Sequence, residues 1–166
     1  PARRRETVHD RHLDIHQDQV EGPRAGLDED VERLLAVAGQ AREDADGAEK
    51  LEDNLAIERD GGQLYEGVTD GLRTLAQSYP LYIVSNCQAG YIEIFLRSSG
   101  LAAHFHDFEC WGNTAQPKPE NLRRLISRNA LKNPWFIGDA TGDMQAAEAC
   151  SIPFVHAAYG FGQVER

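Results

Sequence analysis

The chain has 166 residues, enough for one domain with a sizeable core, and carries 27 acidic against 17 basic side chains, a formal net charge of -10. That excess of negative charge argues against nucleic acid or an anionic membrane surface as a partner. Cys87, Cys110 and Cys150 are widely separated without metal-ligand spacing, and neither a signal peptide nor a long apolar run accompanies them, so a reduced cytoplasm is the expected compartment.

Charge and aromatic residues are unevenly spread. Of the 27 acidic and 17 basic residues, 17 and 9 fall in residues 1–60, which leaves 10 and 8 for residues 61–166, and every aromatic residue lies in the second part. The expected organisation is therefore a polar acidic segment over 1–63, partly helical or disordered, followed by an α/β core over 64–166.

Residues 1–26 are polar and aperiodic, with Arg3-Arg4-Arg5 and then His9, His12 and His16. Two imidazoles four residues apart suit one helical face and Zn²⁺, but no third ligand type or apolar periodicity accompanies them, so a solvated segment is expected. From Leu27 the pattern changes. Leu27, Val31, Leu34, Leu35 and Ala38 fall on one stripe, with Asp28 and Glu29 suited to a helix start, and the spacing predicts an amphipathic helix over 28–42. A weaker helix is expected through Leu51, Leu55 and Ile57, ended by Asp60-Gly61-Gly62; no strand is expected in this half.

After Gly62, helix and strand signals alternate. Val68, Leu72, Leu75 and Ala76 mark a helix, and Leu81-Tyr82-Ile83-Val84 reads as a fully buried strand closed by Ser85-Asn86. Tyr91, Ile92, Phe95 and Leu96 make the next helix, with Gly100 suited to a C-terminal cap. Phe105 to Trp111 is a short strand candidate, Pro117-Lys118-Pro119 a rigid turn, and residues 120–129 a helix burying Leu122, Leu125 and Ile126. Trp135-Phe136-Ile137 is a strand, Met144 to Cys150 a helix, and Pro153 to His156 a last strand. Such alternation predicts a Rossmann-like parallel sheet with helices on both faces.

Three loop clusters then fall at one edge of that sheet: Ser85 with Asn86, Lys118, and Asp139 with Asp143. The two carboxylates sit four residues apart where a helix begins after a strand, so both can face one point and suit a hard cation such as Mg²⁺. The same spacing also suits a helix N-cap and a first-turn acid, as Ser85 and Asn86 suit a turn and Lys118 an exposed charge. Taken jointly, a hydroxyl, an amide, an ammonium and two carboxylates can hold a phosphoryl group beside a metal that offsets its charge.

In order and spacing these residues resemble the haloacid dehalogenase-like (HAD) phosphatases, within them the phosphoglycolate phosphatase-like branch, from about Leu64 to Gln163. Leu81 to Asn86 is similar to that family's second motif, Lys118 in Gln116-Pro117-Lys118-Pro119 to the lysine of the third, and Gly138-Asp139 with Asp143 to the fourth. The resemblance implies a cytoplasmic Mg²⁺-dependent phosphatase of small phosphate monoesters. Ser85 and Asn86 would bind phosphate, Lys118 would act catalytically, and Asp139 and Asp143 would hold the metal.

The family's first motif is the departure. It is a central apolar strand followed by Asp-x-Asp-Gly-Thr, whose first Asp attacks phosphorus and whose second is the general acid/base. The closest string is Asp44-Ala45-Asp46-Gly47-Ala48, preceded by the solvated Gly39-Gln40-Ala41-Arg42-Glu43, and Asp28-Glu29-Asp30 fits less well; both read as acidic helical surface. The expectation is thus a HAD-like fold with its central strand missing and an enzyme family's site without its nucleophile. The alternatives are a non-catalytic phosphate- or partner-binding protein on the same scaffold, or a fragment completed by another chain. No counterpart of the cap that selects substrates in the family is recognisable, which leaves the substrate open.

Overall fold

The computed structural model describes residues 33–35, 55, 58–59, 64–160 and 164. His12, His16, the acidic string with Asp44 and Asp46, and the polar stretch 1–26 lie outside the described residues. Of the weaker helix expected through Leu51 to Ile57, Leu55 is described and is helical, as are Glu58 and Arg59 just beyond it.

Five strands are described, all parallel where they pair. β1 (Arg33–Leu35) pairs with β4 (Trp135–Gly138), which pairs with β5 (Phe154–His156); β2 (Leu81–Ser85) pairs with β3 (Phe105–Cys110). β1 also lies against β2, so the strands stand side by side in the order β3, β2, β1, β4, β5, with β1 in the middle. The register joins Leu34 to Phe136 and Leu35 to Ile137.

This overturns two expectations. The helix over 28–42 is a strand at Arg33–Leu35, and the central position, expected to be missing, is filled by that strand. The physical reason is that β4 would otherwise bury an edge of unpaired backbone donors and acceptors. Satisfying them outweighs a helical preference that is weak without packing. The signal was present in the sequence, because Leu34-Leu35-Ala36-Val37-Ala38 is a continuous apolar run ending at Gly39, which suits a buried strand as well as it suits a helical stripe.

β2 is buried along its whole length and separates two cores. Tyr82 and Val84 join Leu122, Leu125, Phe136, Ala146 and Ala147 under helices α4 (Lys118–Arg128) and α5 (Thr141–Ala149). Leu81 and Ile83 join Leu72, Ile92, Leu96 and Leu101 under α1 (Val68–Ala76) and α2 (Tyr91–Ser99). Each such side chain contributes roughly 1.5–3 kcal/mol by leaving water, so alternate residues of one strand anchor both layers. A short α3 (Trp111–Thr114) follows β3. Gly100 ends α2 with φ 71°, as the sequence predicts, and Leu101 N–H donates to Leu96 C=O at 3.0 Å. Because the strands are parallel, the ends of β2 and β4 open onto the same edge, where the candidate site lies.

Candidate active site

Asp139 follows β4 directly and is 6% exposed. Asp143 occupies the third position of α5 and is wholly buried. Its Oδ2 accepts from the backbone N–H groups of Asp139 and Ala140, each at 3.2 Å. Ala140 is the N-cap of α5 but has no side-chain acceptor, so only the half of a capping box that runs from Asp143 back to the N-cap amide exists here. Gly138 is required by a close approach: a Cβ there would stand 2.5 Å from Asp143 Cβ and 2.6 Å from Oδ2. Gly160 does the same for Asp139, whose Cβ would lie 2.2 Å from an added methyl.

Lys118 enters from the start of α4. Pro117 precedes it in an extended conformation, ψ 158°, and Pro119 follows in the first turn, which fixes the backbone from which the side chain departs. Its Nζ donates to Asp143 Oδ1 at 2.5 Å, with the two side chains 12% and 0% exposed. The loop before α4 is held by fully buried Asn121. Asn121 accepts from Thr114 Oγ1 at 2.7 Å and donates to Gln116 C=O at 3.0 Å, while Gln116 N–H donates to Thr114 Oγ1 at 3.1 Å. This clamp was not foreseen from sequence; an Asn in an amphipathic helix carries no signal of its destination.

Ser85 ends β2 at 3% exposure, and its Oγ accepts from Cys87 N–H at 3.2 Å. That bond uses the oxygen and leaves the hydroxyl proton to be donated elsewhere. Asn86 follows, half-buried. The structure thus joins Lys118, Asp143 and the Asp139 backbone in one hydrogen-bonded unit. Ser85 and Asn86 stand at the end of β2 on the same edge, with β1 between β2 and β4.

Two tyrosines that the sequence did not single out border Asp139. The rings of Tyr65 and Tyr159 meet edge to face, centroids 6.3 Å apart at 78°. Burial, and then the negative charge of Asp139, push both phenols up from their ordinary value.

A metal's fit can be judged from these donors. Asp143 already gives one oxygen to Lys118 and the other to two amides, so a cation there would displace an ion pair or two hydrogen bonds. Asp139 is the more direct oxygen donor, and Mg²⁺ is commonly held by one or two carboxylates plus waters and phosphate oxygens. Among the described residues, no group of three or more His, Cys, Asp or Glu forms an all-protein metal cage.

The sequence pattern of the haloacid dehalogenase-like hydrolases matches residues 29–157, from just before β1 to just after β5. The chain belongs to this family. The match takes in β1 and all four β2-to-β5 strands, further toward the N-terminus than the motifs that suggested the family. Phosphoglycolate phosphatase of Salmonella typhimurium is 30% identical over 115 residues, which are 66% of this chain and 45% of that protein. The chain therefore spans about half the length of the curated relatives it matches. The HAD-hydrolase YfnB of Bacillus subtilis, whose structure is described as bound to magnesium, is 29% identical with a TM-score of 0.56, covering 66% of this chain and 52% of that one. A haloacid dehalogenase-like family hydrolase from Streptococcus pneumoniae shares the fold at a TM-score of 0.58 and 24% identity, covering 61% and 49%. No helix among the described residues of this HAD-like chain is long and apolar enough to cross a membrane.

Proposed function

We propose that this chain binds small phosphate monoesters with Mg²⁺ at the shared ends of β2 and β4 and hydrolyses them at or near the uncatalysed rate. The observation that carries this reading is the contrast within one site. The Lys118–Asp143–Asp139 unit is hydrogen-bonded together, whereas the sequence that follows the central strand Arg33–Leu35 reads Ala36-Val37-Ala38-Gly39, with no carboxylate.

In this reading Ser85 donates its hydroxyl proton, and Asn86 its amide, to phosphoryl oxygens. Lys118 has three N–H donors and gives one to Asp143, so two remain for the phosphoryl group. Asp139 offers a carboxylate to Mg²⁺, and Asp143 holds Lys118 beside it. The metal would supply charge neutralisation for the bound phosphoryl group. Binding groups alone do not break the ester bond; an aspartyl-phosphate route needs a carboxylate in line with the leaving group.

The incomplete oxygen shell fits a millimolar dissociation constant for Mg²⁺, about 4 kcal/mol of binding. Calorimetric titration of the chain and of Asp139→Asn tests the metal assignment. Loss of the heat in the variant is expected, and equal binding by both would remove Asp139 from the site. The polar acidic segment over 1–63 belongs, on this proposal, with the core at least through β1.

A further inference from the structure

The short helix α3 touches both of the loops that carry the phosphoryl donors. Its first end meets the Ser85–Asn86 loop. Gly112 N–H donates to Cys87 C=O at 3.0 Å, and Cys87 N–H donates in turn to Ser85 Oγ at 3.2 Å, so the Cys87 backbone is held on both sides. Gly112 has no room for a side chain: an added Cβ would stand 1.9 Å from Ala89 N, 2.3 Å from the Gln88 carbonyl carbon and 2.6 Å from Gln88 Cα. All three are backbone atoms, so no side-chain rotation relieves the collision, and either the loop or α3 has to shift.

The other end of α3 meets the Lys118 loop. Thr114 Oγ1 donates to Asn121 Oδ1 at 2.7 Å, accepts from Gln116 N–H at 3.1 Å and lies 3.2 Å from Cys110 C=O. Fully buried Asn121 belongs to α4, the helix that Lys118 begins, and donates to Gln116 C=O at 3.0 Å. A single helical turn separates the two ends, closed by Ala115 N–H on Trp111 C=O at 2.7 Å.

We propose, on the basis of the phosphate-binding function proposed for these loops, that α3 is a strut setting the span between Ser85–Asn86 and Lys118, with Gly112 and Thr114 as positioning residues. Neither touches the ester; each acts through the donors it places. Donors held in advance at the spacing of the phosphoryl oxygens bind without the entropy cost of ordering two separate loops. One turn of helix has no slack, so a displacement at Gly112 is passed to Thr114, Asn121 and Lys118, and the reverse. Asp139 is seated by β4 and by the space at Gly160, so Mg²⁺ binding is spared.

Three variants of the full chain test this: phosphoglycolate titrations with Mg²⁺ present, followed by phosphorus-31 NMR, are set beside Mg²⁺ calorimetry and amide spectra of the ligand-free protein. Gly112→Ala and Thr114→Val are each expected to weaken ester binding by about tenfold, the scale of one misplaced hydrogen bond. Thr114→Ser keeps the hydroxyl and should restore wild-type affinity, and Mg²⁺ affinity should hold in all three. In the ligand-free spectra Gly112→Ala should move the Lys118 amide and Thr114→Val the Cys87 amide, each across the strut from the change. Undiminished ester binding in Gly112→Ala or Thr114→Val, a loss that serine does not repair, or Mg²⁺ affinity falling in step with ester affinity would overturn the proposal. The valine and serine pair decides the matter if Gly112→Ala does not fold. Should the wild type bind no ester, the proposed function fails, and the cross-strut amide shifts still judge α3: their presence supports the strut and their absence overturns it.

Discussion

Lys118 and Asp143, 25 residues apart in sequence, form a 2.5 Å ion pair in which the carboxylate is wholly excluded from solvent. Removing one partner of such a pair is costly because the other is left charged and buried. The partners are not equivalent, since Asp143 also caps α5 through Ala140 and holds Asp139 N–H. Asp143→Ala should therefore lower stability by about 3–5 kcal/mol, combining the lost ion pair with a lost cap. Lys118→Met should cost less, because two amides still face the carboxylate. Urea denaturation of both variants checks this order; equal losses would mean that the capping bonds contribute nothing.

Gly160 keeps the space occupied by the Asp139 side chain. Gly160→Ala should push Asp139 aside and weaken Mg²⁺ binding by tenfold or more, an estimate of about 1.4 kcal/mol per tenfold. The change lies at the edge of the fold, so the melting temperature should move little. Parallel calorimetry and thermal unfolding separate the two effects, and undiminished Mg²⁺ binding would show that Asp139 tolerates the displacement.

The HAD-like core was largely legible because its signals were local and mutually consistent. Leu81 to Val84 could only be a buried strand, Gly100 a stop, and the Lys118 and Asp139 loops inherited their edge from parallel topology. β1 was ambiguous rather than absent from the sequence, because Leu34 and Leu35 satisfy a helical stripe and a strand equally. The deciding factor, the open edge of β4, is more than a hundred residues away. The need for glycine at 138 was also hidden, because the room it leaves for Asp143 is set by a side chain that folds back from the next helix. Tyr65, Tyr159 and Asn121 reach the site by tertiary packing, for which single-residue patterns hold no sign.

Away from the site, Arg128 ties the end of α4 to β3. It donates to both oxygens of Asp107 at 2.6 and 3.0 Å, to Glu109 at 2.6 Å and to Phe108 C=O at 2.5 Å. Burial raises the Asp107 carboxyl, but Arg128 and Asn129 outweigh it and hold the group below its ordinary 3.8. Its share of stability is thus fully present above about pH 4 and fades as pH falls through the lower folded value. Arg128→Ala should cost about 1–2 kcal/mol at neutral pH, discounted for an arginine 41% exposed but enlarged by Glu109 at 7%. The difference from wild type should narrow in denaturation curves taken below pH 4. A gap that stays constant with pH would assign the loss to packing alone.

Phosphorus-31 NMR of phosphoglycolate with the chain and Mg²⁺ tests binding without turnover most directly, because one spectrum reports both. The account predicts an ester resonance that shifts or broadens with added protein, and an inorganic phosphate signal that grows no faster than in the protein-free sample. Steady growth of inorganic phosphate at an enzyme's usual rate would contradict it and bring Asp44 and Asp46 forward as the nucleophile pair.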